Sequence, residues 1–210
     1  MDKTTLKLRK ILGILGMCLP IAIIISRLIT TRSLSGLESI SATHYFPDYL
    51  FFEGLVLAVG LFLILYNGYD IKDRWLTTIA GSGAIVMVFF PGLAPKGFEG
   101  AVLYHNFLGI SHKITMWFHD IGALVFFGFL IYIILKQFTC KGSNPTREKL
   151  IRNKIYIACG WTMAAALLIG GAINVFLWPY ALFIGEAIGL ECFGVAWFVK
   201  GECIFKDKEA

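Results

Sequence analysis

Three of the four histidines fall within one short stretch, at His105, His112 and His119, and the last is followed directly by Asp120. Imidazole and carboxylate together can hold a divalent metal such as zinc, pass a proton, or polarise a water for hydrolysis. The spacing limits the choice. On an unbroken helix, steps of seven keep the rings on one face but about 10.5 Å apart along the axis. Zinc needs each ligand nitrogen within about 2.1 Å. A zinc shared by His105, His112 and His119 therefore requires a break, which Gly109 would supply, or ligands borrowed from other helices.

Carboxylates accompany them. Glu186 and Glu191 lie within the last apolar run, and Glu53 falls on the first turn of the second. An ionisable side chain at membrane depth is costly unless paired or wetted, so each such group counts as a functional candidate. His119, Asp120, Glu186, Glu53 and Glu191 are the expected ligand-binding set of an outward-facing polar cavity. The loops carrying His44 and His105–His112 would roof it.

The elements that must position these groups are membrane helices. With 57% hydrophobic and 16% charged residues the chain has too little polar cover for a soluble domain. Its apolar residues form six runs of roughly 18 to 22, each long enough to cross a hydrocarbon core. They are Ile11–Ile29, Tyr49–Tyr66, Trp75–Leu93, Met116–Leu135, Ile155–Phe176 and Tyr180–Val199. Runs such as Ile121–Leu135 are apolar on every face, which excludes the alternating strands of a barrel. The fold class is all-α: a six-span transmembrane bundle of one domain over residues 1–210. The first run lacks a small-x-small cleavage site and reads as an uncleaved span.

Orientation follows from the nineteen basic residues. A cytoplasmic N-terminus leaves only Arg27, Arg32, Lys96 and Lys113 outside, an asymmetry that predicts both termini in the cytoplasm of a cell's inner (plasma) membrane. The basic residues flank spans, so the net charge of +5 is a topology signal and excludes a nucleic-acid surface. Glu38, Asp48 and all four histidines fall in the outer half, and no buried ionisable cluster is expected on the inner side.

The segment 103–135 is too long for one span. Residues Ala101–Leu108 are therefore expected to lie at the interface or re-enter, handing over to the fourth span near Ile114. Gly81-Ser82-Gly83 and Gly185…Gly189 supply the small-residue faces by which helices approach in lipid.

Ser39-Ile40-Ser41-Ala42, Tyr66-Asn67-Gly68-Tyr69-Asp70, Cys159-Gly160-Trp161 and the closing run Phe193 to Gly201 resemble a large family of bacterial six-helix membrane proteins, similar to the DRAM-type proteins. That resemblance implies topology and carries over no catalytic residue. The leading functional expectation is binding or transport of a lipid headgroup, small solute or proton, with membrane lipids as partners. The alternative is a zinc-dependent membrane lipid hydrolase, as in seven-helix ceramidase-like enzymes, although the last span here lacks their paired histidines. Haem would need facing histidines on two spans, and only His119 sits within one.

Overall fold

The buried residues of the first helix, α1 (Lys3–Thr31), recur at helical spacing: Arg9, Leu12, Gly13, Gly16, Leu19, Pro20, Ile23, Ser26 and Arg27. One stripe of α1 therefore faces protein, with an arginine at each end. The structure is a computed structural model that describes residues 3–68, 70–97, 109–139 and 145–206. His105 and the expected interfacial piece Ala101–Leu108 lie outside the described residues.

Among the described residues five further helices follow: α2 (Tyr49–Ile64), α3 (Ile71–Phe89), α4 (His112–Tyr132), α5 (Arg147–Phe176) and α6 (Ala181–Lys200). No strand occurs among the described residues. Among the described residues four helices are long and apolar enough to cross a membrane, namely α1, α4 with its extension to Gln137, α5 and α6. Helix α2 has 16 residues and ends two short of the run Tyr49–Tyr66, whereas α3, with 19, matches the length of the run Trp75–Leu93 but starts four residues earlier, at Ile71 just before the charged run Lys72-Asp73-Arg74. Large apolar side chains cover the outside, among them Ile29, Leu124, Leu168 and Phe176, as expected of a surface that meets lipid.

Local chemistry sets the helix ends. The Asp70 side chain accepts the Asp73 N–H at 2.8 Å and starts α3; Thr146 accepts the Lys149 N–H at 3.1 Å and starts α5. Gly109 adopts a left-handed φ of 62°, and α4 begins three residues later, slightly earlier than the expected handover near Ile114. At its other end α4 passes into a π-helical turn, Ile133–Gln137, which swings Phe138 inward against Trp197 and Tyr156.

Helices pack in the order α4, α3, α2, α1, α6, α5. Close approach at glycines holds this series together. A Cβ on Gly83 would sit 2.7 Å from the Gly122 carbonyl oxygen, and one on Gly170 would sit 2.8 Å from that of Ala181. Helices α4 and α5 close the series only at the basal end, where the chain's terminal helices begin and end; there Gly160 lies against Leu135. Towards the opposite end, the mouth, they diverge.

The basal end corrects one expectation. Arg9, Asp73, Arg152 and Lys200 are all buried there. The Arg9 guanidinium donates to the Tyr66 hydroxyl from Nε at 2.9 Å and Nη2 at 2.6 Å, and to the Lys200 carbonyl at 3.3 Å. Lys200 Nζ lies 4.8 Å from the Phe138 ring centre, and Arg152 donates to the Phe205 carbonyl. Charges that flank helices in sequence are drawn inward here because aromatic faces and carbonyls receive them.

Candidate functional site

The connection from α1 to α2 does more than roof the mouth. Leu37, Ile40, Thr43, His44, Tyr45 and Phe46 are buried, and residues Ser41–Tyr45 form a 3-10 turn that drives His44 into the bundle. Arg27, at the mouth end of the α1 stripe, donates to Asp48 Oδ1 at 3.2 Å and lies 3.3 Å over the Phe46 ring. Both charges are buried, so the pair pins this connection to α1.

His44 sits between two acceptors. Its Nε2 faces the Met87 carbonyl at 3.1 Å and its Nδ1 faces Glu53 Oε1 at 3.0 Å. A carbonyl can only accept, so Nε2 carries a proton. One further proton lies between Nδ1 and the carboxyl group, whichever atom holds it. Glu53 is thereby engaged behind the site and lines no part of the cavity described below, contrary to its place in the expected set. Tyr45 donates to the Gly92 carbonyl at 2.6 Å, and burial pushes its phenol far above the ordinary range, keeping it a donor.

His119 is 5% exposed on α4. Its Nδ1 donates to the Phe90 carbonyl at 2.8 Å, with the Met87 carbonyl at 3.3 Å, so in the neutral ring Nε2 bears the lone pair. Gly92 makes room for this ring: a Cβ there would lie 2.9 Å from His119 Cδ2.

Where α4 and α5 diverge, a cavity of about 470 Å³ opens. Its walls are apolar along α4 (Ala123, Leu124, Phe127, Gly128, Ile131) and α5 (Ala164, Leu167, Leu168). Polar groups gather at one end: Ser39, Ser41, His119, Asp120 and Glu186. From Asp120 to Ile131 the α4 wall runs for about 16 Å. Leu124 and Leu168, each 75% exposed, stand at the rim between the two helices. Glu186 accepts the Ile40 N–H at 2.6 Å through Oε2, tying the α1–α2 connection to α6 beside the cavity.

The structure thus brings His119, Asp120 and Glu186 to one cavity. It does not bring Glu191 there: five residues beyond Glu186 on the same helix is about 140° around the axis, and Glu191 lines no wall. His112 turns to Thr115 and lies 6.4 Å, ring to ring, from Tyr45, apart from His119. Among the described residues no group of three His, Cys, Asp or Glu side chains is placed to hold a metal. Sequence reasoning missed the Arg27–Asp48 pair and the inward path of His44. The regular spacing of Arg27 with Ser26 and Ile23 on the buried stripe was the available signal.

Fold and site together define an all-α bundle, several of whose helices can cross a membrane, with one polar-ended cavity between α4 and α5. No family model matches the chain, and neither a curated protein nor a solved structure does.

Proposed function

We propose that the protein is a six-span inner-membrane protein, both ends cytoplasmic, that binds or carries an amphipathic, lipid-like molecule in the α4–α5 cavity. The chain of the ligand lies along Phe127, Ile131 and Leu167, and its head meets Ser39, Ser41, His119, Asp120 and Glu186. The observation that carries this reading is the division of the cavity into a long apolar wall and one polar end, open beside two exposed leucines. The asymmetry of basic residues and the resemblance to DRAM-type proteins support the topology. For the zinc-dependent hydrolase alternative, no third donor stands beside His112 or His119 among the described residues.

The test is mass spectrometry of lipids copurifying with the protein in mild detergent, beside Gly128→Trp. Gly128 lines the cavity and a Cβ there meets nothing within 4 Å, so the indole fills the space without disturbing the backbone. A copurifying amphiphile lost in the variant supports the reading. Identical lipid content in both proteins overturns it.

A further inference from the structure

The polar end of the cavity is rich in groups that can accept a hydrogen bond. Asp120 from α4 and Glu186 from α6 bring two carboxyl groups, and Ser39 and Ser41, 3.1 Å apart, bring two hydroxyls. His119 adds a nitrogen of a different kind. Its Nδ1–H is committed to the Phe90 carbonyl, while Nε2 has no hydrogen-bond partner among the described residues, in a ring that is 95% withdrawn from solvent yet forms part of the wall. A ring nitrogen on the cavity wall with its lone pair unused can accept from a donor in the cavity.

No Lys or Arg is among the described residues of the wall. Arg27, the buried cation of the mouth, is held by Asp48 and the Phe46 ring. Lys113 stands two turns before Asp120 on α4, about 10.5 Å along the axis. An anionic head, phosphate or carboxylate, would therefore face two carboxyl groups and a lone pair with no counter-charge. A protonated amine would meet all of them with its N–H groups directed outward.

We infer that the head group taken at Asp120, Glu186 and His119 is a protonated primary amine, so that the ligand is a single-chain alkylammonium amphiphile. This rests on the cavity being the binding site, as proposed above, and adds its charge selectivity. A primary amine suits the site better than a quaternary ammonium, because the site offers acceptors and presents no aromatic cage at its polar end.

The experiment uses the full chain in phosphatidylcholine nanodiscs and three probes of equal chain length, n-dodecylamine, n-dodecanol and dodecanoate. Binding is measured by equilibrium dialysis as the part abolished by Gly128→Trp, which removes partition into the bilayer. The amine should bind about tenfold more tightly than the alcohol and more tightly still than dodecanoate, and Asp120→Asn should bring the amine close to the alcohol. Dodecanoate or dodecanol binding as well as the amine overturns the head-group assignment while the cavity stands. If none of the three shows binding sensitive to Gly128→Trp, the cavity reading falls and this inference with it.

Discussion

His44 and His119, from different elements, direct ring nitrogens at one acceptor, the Met87 carbonyl, at 3.1 and 3.3 Å with ring centres 6.2 Å apart. That carbonyl belongs to the last turn of α3, where Phe90 and Pro91 end the helix and leave oxygens without helical partners. The two histidines therefore cap α3, and one of them is also a cavity wall. His119 at the cavity wall is thus joined through a helix end to the Glu53–His44 pair behind it.

Replacing His44 by Ala removes the bonds to Glu53 and Met87 and the edge contact with Phe52, 4.8 Å away. A loss of about 2–4 kcal/mol is expected. Glu53→Gln keeps a hydrogen-bonding amide and should lose about 1 kcal/mol. Thermal melting of the two variants in one detergent checks the order; a milder effect for His44→Ala would contradict the capping role.

Arg27→Met leaves Asp48 buried without its cation, at a cost of about 3–5 kcal/mol. The double variant Arg27→Met/Asp48→Leu removes both charges and should recover more than half of that loss. Melting temperatures of the three proteins decide it, and a double variant no better than the single one would show that the pair acts through geometry instead of charge.

Adjacent glycines should behave oppositely. A Cβ at Gly170 would meet the Ala181 oxygen at 2.8 Å and Gly185 Cα at 3.0 Å, whereas one at Gly171 would meet nothing within 4 Å. Gly170→Val is expected to separate α5 from α6 and give aggregated or poorly expressed protein. Gly171→Ala should be neutral or gain a few tenths of a kcal/mol from helix propensity. Size-exclusion profiles after extraction read the difference.

Gly92→Ala places a methyl group against the His119 ring and must shift it by a few tenths of an ångström. Ligand binding in the cavity should weaken while melting temperature changes little. Unchanged binding would mean that His119 does not contact the ligand.

Topology is open to direct measurement in a background without native cysteines. Lys113→Cys should react with an impermeant maleimide on intact cells, and Lys206→Cys only after permeabilisation. The reverse pattern would invert the proposed orientation and turn the cavity's polar end towards the cytoplasm.

The helical class was readable from the apolar runs, because a side chain facing lipid or packed helices must be apolar over long windows. Gly109, Gly83 and Gly185 were readable because glycine marks either a left-handed backbone, as at Gly109, or a close helix approach, as at Gly83 and Gly185. Of the site, His119, Asp120 and Glu186 were identified as costly polar groups in apolar runs. Glu53 and Glu191 met the same criterion but do not line that cavity, since depth in sequence does not say which way a side chain points. The basal cluster escaped notice because Arg9, Arg152 and Lys200 near helix ends look like ordinary flanking charges. Only their tertiary partners, Tyr66, Phe138 and the Phe205 carbonyl, distinguish them.

The paired arginines of α1 have a mechanical meaning. Arg9 and Arg27 stand eighteen residues apart on one stripe, about 27 Å along the axis, close to the thickness of a hydrocarbon core. Each guanidinium is gripped by its own partners, Tyr66 and Lys200 at one end, Asp48 and Phe46 at the other. The helix is a bolt with a head at each end. Sliding it by one turn would pull one charge into the greasy middle and strip the other of its grip, so α1 is locked in register with the elements that hold its two ends.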